Sequence, residues 1–134
     1  MSAIVEFLFP APARRSAAGI FRWWEARRLR YNAVVGATGL ASMGLVAGFG
    51  TLPPGPRELP PFLVIAVVYG VMANVCYCTG PLAELLLEKL WGRKVLPTGP
   101  ALFRMGLTFS VGLTLFPAMI AGLDWMARLV FTLL

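Results

Sequence analysis

The sequence contains no histidine, only two cysteines and few charges of either sign. The missing imidazole excludes His-ligated haem or chlorophyll, ordinary zinc sites and every His-based catalytic triad. Charged side chains make up 13% of the 134 residues, against about a quarter in soluble domains. A soluble domain of this length would lack the side chains needed to cover its surface. Acidic residues are scarcest: six stand against twelve Arg and Lys, a net charge of +6. None of the six lies at the middle of a long apolar run. That counts against a small proton-coupled exporter, which needs a carboxylate embedded in the membrane.

What is present is apolar and continuous. Hydrophobic residues make up 58% of the chain. Tyr31 to Pro56, Leu59 to Ala83 and Met105 to Leu123 carry no charged side chain. A spanning helix needs about 20 mostly apolar residues to cross a hydrocarbon core of about 30 Å. The three runs therefore predict an all-α membrane protein with three transmembrane helices, over 31–51, 61–80 and 104–123. Strands of a membrane barrel alternate apolar and polar residues, and these runs do not. Met1 to Phe9 is apolar before any basic cluster appears, the reverse of a cleaved signal peptide.

Basic residues give the orientation. Arg14, Arg15, Arg22, Arg27, Arg28 and Arg30 precede the first span, and Lys89, Arg93, Lys94 and Arg104 lie between the second and third. The connector between the first and second spans holds only Arg57, beside Glu58. By the positive-inside rule the N-terminus and second loop are cytoplasmic and the C-terminus is periplasmic. Trp23, Trp24 and Trp91 read as an inner aromatic belt and Trp125 as an outer one.

The flanking segments follow. Residues 1–30 form a cytoplasmic or interfacial segment, in which Ser16 to Arg30 reads as an amphipathic interfacial helix. Ile20, Phe21 and Trp24 share one side of it, and its arginines can reach phosphate headgroups. Because these arginines adjoin a span, no nucleic-acid partner is expected. The connector from Thr51 to Pro61 holds five prolines and reads as a stiff, extended link. Pro81 favours a kink where the second span ends. The apolar tail 124–134 is too short to recross and either extends the third helix or lies along the outer surface.

Several side chains are candidates for contact. Ten of the twenty residues from Tyr31 to Gly50 are Gly, Ala or Ser. Gly44 and Gly48 form a GxxxG pair, Ala33, Ala37 and Ala41 a second small row, and Gly106 and Ser110 repeat the spacing on the third span. Such rows let helices approach closely, either inside the bundle or against another chain. Asn74 needs a partner in hydrocarbon, for which Ser42, Ser110 and Thr114 are candidates, and it shares a helical face with Tyr77. Glu84, at the inner boundary, is expected to pair with Arg28 or Arg104 and fix the register of the bundle. Cys76 and Cys78 point about 200° apart on a helix. They cannot hold one ion, so they read as free, buried cysteines.

Three local patterns carry a resemblance. They are Trp24-Glu25-x-Arg27-Arg28-x-x-Tyr31-Asn32, then Asn74-x-Cys76-Tyr77-x-x-Gly80-x-x-x-Glu84, then Arg104-x-Gly106-x-x-Phe109-Ser110-x-x-x-Thr114. Together, over residues 21 to 120, they resemble a loose group of small, uncharacterised bacterial multipass inner-membrane proteins. The resemblance implies an inner-membrane location and points to Glu25, Arg28, Asn32, Asn74, Tyr77 and Glu84.

No nucleophile–base pair, phosphate loop, metal site or cofactor motif is visible. The expected function is that of a non-enzymatic accessory or structural subunit. It would pack against lipid and other integral membrane proteins within a respiratory, photosynthetic or transport complex. The alternative is a small homo-oligomeric transporter or channel with Asn74, Tyr77, Ser110 and Thr114 along its path. A weaker one is a membrane-bound enzyme working through Glu84 and Arg28.

Overall fold

The computed structural model describes residues 16–54, 58–91 and 98–134. The expectations that involve Met1 to Phe9, Arg14, Arg15, Arg57, Arg93 and Lys94 lie outside the described residues. Three helices account for nearly all of the rest: α1 (Ala17–Thr51), α2 (Phe62–Trp91) and α3 (Gly99–Leu133). There is no strand among the described residues. Each helix is long and apolar enough to cross a bilayer. The chain is an all-α membrane protein with three transmembrane helices.

The helices overrun the apolar runs that mark them. α1 has 35 residues, about 52 Å at 1.5 Å per residue. It absorbs the segment expected to form a separate interfacial helix. No proline interrupts residues 17–51, and Ser16 caps the start by accepting the Gly19 N–H at 3.1 Å. Ile20 and Trp24 are buried in the bundle while Phe21 is exposed, so the apolar side of this segment is divided between protein and surroundings. α2 runs unbroken past Pro81 to Trp91. α3 continues through Asp124 to Leu133, so the tail extends the third helix.

Contacts give the register. Along α1 and α3, Trp24 meets Phe103, Tyr31 meets Ser110 and Phe49 meets Trp125. The two helices are therefore parallel and aligned over most of their length, and theirs is the most extensive packing in the bundle. α2 runs antiparallel to both: Tyr31 reaches Ala73, Trp24 reaches Glu84, and Tyr69 reaches Thr114. The arginine-bearing end thus holds the start of α1, the end of α2 and the start of α3.

The surface is apolar and the core is small. Leu63, Phe109 and Phe131 are more than two-thirds exposed, as side chains facing lipid would be. The buried set holds few large aliphatic side chains and consists mainly of Ile20, Trp24, Tyr31, Val35, Ala73, Tyr77 and Ala118.

At the end away from the arginines, α3 closes the end of α1. Arg128 Nη2 donates to the Phe49 carbonyl at 2.7 Å, and its Nε lies 3.2 Å from Asp124. Phe49 belongs to the last turn of α1, whose carbonyls have no partner within the helix. A cation there also opposes the negative end of the helix dipole. Trp125 Nε1 donates to the Pro53 carbonyl at 2.9 Å just beyond. The Asp124 to Arg128 stretch is thus a cap for another helix. Replacing Arg128 with Ala should lower stability by about 2 kcal/mol, read as a reduced unfolding midpoint in detergent. A melting curve superimposable on the wild type would contradict this cap.

Candidate functional site

The polar groups collect at the arginine end, between the three helices. Glu84 is 6% exposed, and its Oε2 accepts the Trp24 indole N–H at 2.7 Å. Among the described residues Glu84 forms no ion pair. This corrects the expected pairing with Arg28 or Arg104. The reason is placement: Glu84 faces inward with Ala73, Tyr77 and Pro81 on one side of α2. Arg28 lies elsewhere on α1 and pairs with Glu25 at 2.6 Å. Arg104 is an exposed residue on α3.

Two glycines make room for this arrangement. A Cβ at Gly80 would enter the Trp24 ring, and one at Gly99 would lie 2.6 Å from Glu84 Oε2. Gly99 is the first residue of α3, with Pro100 behind it. The Glu84 carboxylate therefore rests against the positive end of the α3 dipole. One side chain of α2 thereby ties the start of α1 to the start of α3. Tyr77 reinforces the link by donating to the Trp24 carbonyl at 2.6 Å. Aromatic edges complete it, with Trp24 5.5 Å from Tyr77 and 6.0 Å from Phe103, ring centre to ring centre. Trp24 is 3% exposed, so it belongs to the core and not to the inner aromatic belt. Trp23 is half-buried with the Arg27 guanidinium 3.7 Å over its ring, and Trp91 is exposed.

The other hydroxyls form a second layer deeper in the spans. Tyr31 donates to the Ala73 carbonyl at 3.3 Å and shares a hydrogen bond with Ser110 Oγ at 2.9 Å. Tyr69 shares one with Thr114 Oγ1 at 2.5 Å, and Thr114 donates to the Ser110 carbonyl at 2.6 Å. All three tyrosines of the chain therefore bond across to another helix. A phenol buried in a span needs such a partner, and Tyr31 and Tyr69 could have been found by that rule.

Asn74 has none of its expected partners. It donates to the Gly70 carbonyl at 3.0 Å and accepts from Asn32 at 3.4 Å. Ser110 and Thr114 are already engaged by tyrosines, and Ser42 is buried elsewhere on α1. Arg28 Nη2 donates to Cys78 Sγ at 3.6 Å, so Arg28, Asn32, Asn74 and Cys78 lie together along the α1–α2 seam. Both cysteines are free, as expected, but exposed and not buried. On α2 they flank the inward row of Ala73, Tyr77 and Glu84, one on each side.

The small-residue rows behave differently again. A Cβ at Gly44, Gly48 or Gly106 would meet nothing within 4 Å. Ala33, Ala37 and Ala41 are exposed. The GxxxG pair is not used inside the bundle, because Trp24, Tyr31, Val35 and Ser42 form the inward side of α1.

No family model, curated protein or solved structure matches this chain. The site is defined by its own chemistry. It offers a buried carboxylate held by an indole, hydroxyls held by one another, and an amide pair beside a guanidinium. The first two are closed networks. Trp24→Phe should cost about 1–3 kcal/mol by leaving Glu84 without its donor. Glu84→Leu should be similarly costly, and the double substitution should recover part of the sum. A double-mutant cycle of unfolding in detergent measures the coupling, and strict additivity would show that the two side chains do not act together.

Proposed function

We propose that this chain is a non-enzymatic integral membrane protein, an accessory or scaffold subunit that packs beside other membrane proteins. The observation that carries this reading is the open small-residue face of α1. Ala33, Ala37, Ala41, Gly44 and Gly48 repeat at helical spacing, are not needed by the bundle, and leave the backbone approachable. Close backbone approach between small residues is a principal source of helix association in lipid. Within one chain this face does nothing; against a second helix it has a use.

The location in this proposal is a bacterial inner membrane, with the N-terminus cytoplasmic and the C-terminus periplasmic. In the sequence, ten basic residues in the N-terminal flank and second loop, against Arg57 alone in the connector, support that orientation. The resemblance of the three motifs to small bacterial multipass proteins supports the membrane. Respiratory, photosynthetic and transport complexes all use such subunits. The channel alternative draws less support, because the hydroxyls of Tyr77, Ser110 and Thr114 turn into the bundle and are already bonded. The enzyme alternative needs Glu84 beside Arg28, and these hold different partners.

Two measurements test the proposal. The tagged full chain, extracted in mild detergent, should bring down a stoichiometric set of membrane proteins. A Gly44→Ile, Gly48→Ile double variant should lose that set while keeping its helix content, since a Cβ at either position meets no internal atom within 4 Å. An unchanged set, or a wild type recovered alone, would refute the subunit reading. Separately, an alkaline phosphatase fused after Leu134 should be active, and an inactive fusion would reverse the orientation.

A further inference from the structure

The α1–α2 seam holds a furrow, floored by buried Val35, Ser42 and Ala73 and by Thr114 and Pro117 of α3, that the small-residue face does not reach. On α1 it passes Arg28, Asn32, Gly36, Met43 and Val46; on α2 it passes Cys78, Asn74, Gly70, Ala66 and Phe62. The deeper part, from Asn32 to Val46, is an apolar groove of about 490 Å³. A shallower depression shares Ala66, Gly70 and Asn74 with it and ends on Arg28 and Cys78. The furrow is therefore graded. A guanidinium lies at the arginine end, two amides about one helical turn further in, and hydrocarbon side chains beyond.

This grading matches a phospholipid more closely than it matches a helix. The Arg28 side chain is one-third exposed, and its contacts with Glu25 and Cys78 both run through Nη2, so the guanidinium has further N–H donors for a ligand. Over residues 22–30 of α1, four arginines including Arg28 stand against Glu25 alone, which favours an anionic group. Asn32 is exposed and its bond to Asn74 is long, at 3.4 Å. Amide groups facing hydrocarbon are costly unless something bonds them. From Asn32 to Val46 the groove is about 21 Å long at 1.5 Å per residue, more than the roughly 15 Å depth of one leaflet. A Cβ at Gly36 or Gly70 would meet nothing within 4 Å, so the middle of the groove is open to a slender chain.

We propose that this furrow binds one anionic phospholipid of the arginine-side leaflet. The phosphate lies at Arg28, the ester carbonyls lie against Asn32 and Asn74, and one acyl chain runs past Gly36 and Ala66. The site is independent of the subunit reading. At 100° per residue, Gly44 and Gly48 fall on a different side of α1 from Arg28, Asn32 and Gly36. A bulky residue at one face leaves the other free.

The test uses the full chain, reconstituted with an equal mixture of phosphatidylglycerol and phosphatidylcholine. It is then re-extracted in mild detergent and examined by native mass spectrometry. The wild type should retain one phosphatidylglycerol per chain. Arg28→Gln should lower the preference for phosphatidylglycerol about fivefold, the effect of one basic residue at an anionic surface. Gly36→Leu should lower retention of either lipid by filling the groove with the head-group end intact. Helix content by circular dichroism guards against misfolding, and Gly36→Leu, placed in open space, keeps the test decisive if Arg28→Gln fails to fold. Equal retention of the two lipids, no retained lipid, or a lipid-free dimer seated through this face would each overturn the proposal. So would unchanged retention by Gly36→Leu. Loss of co-purifying proteins in the Gly44, Gly48 variant with lipid retention intact separates the two ideas.

Discussion

A carboxylate shut away from water has to be met by donors, and in this bundle the Trp24 indole meets Glu84. Much of the arginine end follows from that contact. The indole can reach α2 only because Gly80 has no side chain to block it, and the carboxylate can rest at the start of α3 only because Gly99 has none. Tyr77, about two turns from Glu84 on the same side of α2, returns a hydrogen bond to the backbone of the same tryptophan. Three helix segments that share only a small apolar cluster are thereby brought to one point. Hydrophobic burial cannot do this inside a bilayer, because lipid is as apolar as leucine. Directional polar contacts and close approach are what remain.

The same logic governs the opposite end and the middle. Helix ends leave four carbonyls or four N–H groups without partners, and a short three-helix bundle has few loops to supply them. Here neighbouring helices supply what the loops do not: Arg128 of α3 bonds the last turn of α1, and Glu84 of α2 rests against the first turn of α3. Between these ends, Tyr31 and Tyr69 connect α1 and α2 to the Ser110 and Thr114 hydroxyls. Each helix is thus fastened at more than one depth. That explains how a bundle with so small a buried core holds a defined register.

The architecture was legible because lipid imposes a coarse rule. A run of about 20 uncharged residues has few other fates, and all three runs became helices. The rule says nothing about where a helix stops beyond the hydrocarbon. Residues 17–30 and 124–133 are helical for local reasons, the Ser16 cap and the Asp124–Arg128 contacts with α1. The partners were harder to read. Glu84 and Asn74 were identifiable as polar groups in need of bonds. Their partners depended on which side of each helix faced inward, and charge alone suggested arginine for Glu84. An indole N–H is a neutral donor on an apolar body, so Trp24 looked like an interface residue until its face of α1 was known.

The two unused faces of α1 differ in a way that bears on what each would hold. The Gly44–Gly48 side is uniformly small and uncharged over several turns, a shape that admits another helix backbone and offers no anchor for a headgroup. The Arg28–Asn32–Gly36 side is polar at one end and narrow between two helices, and it offers no flat strip for a third. A helix docked in that furrow would have to place its own polar groups beside Asn32 and Asn74 and its own anion beside Arg28. A lipid of the same leaflet brings acceptors and negative charge to those depths by its construction, with no matching of sequence required. On physical grounds, then, the small-residue face suits a protein and the graded furrow suits a lipid, and one helix can serve both at once because its sides are chemically separate.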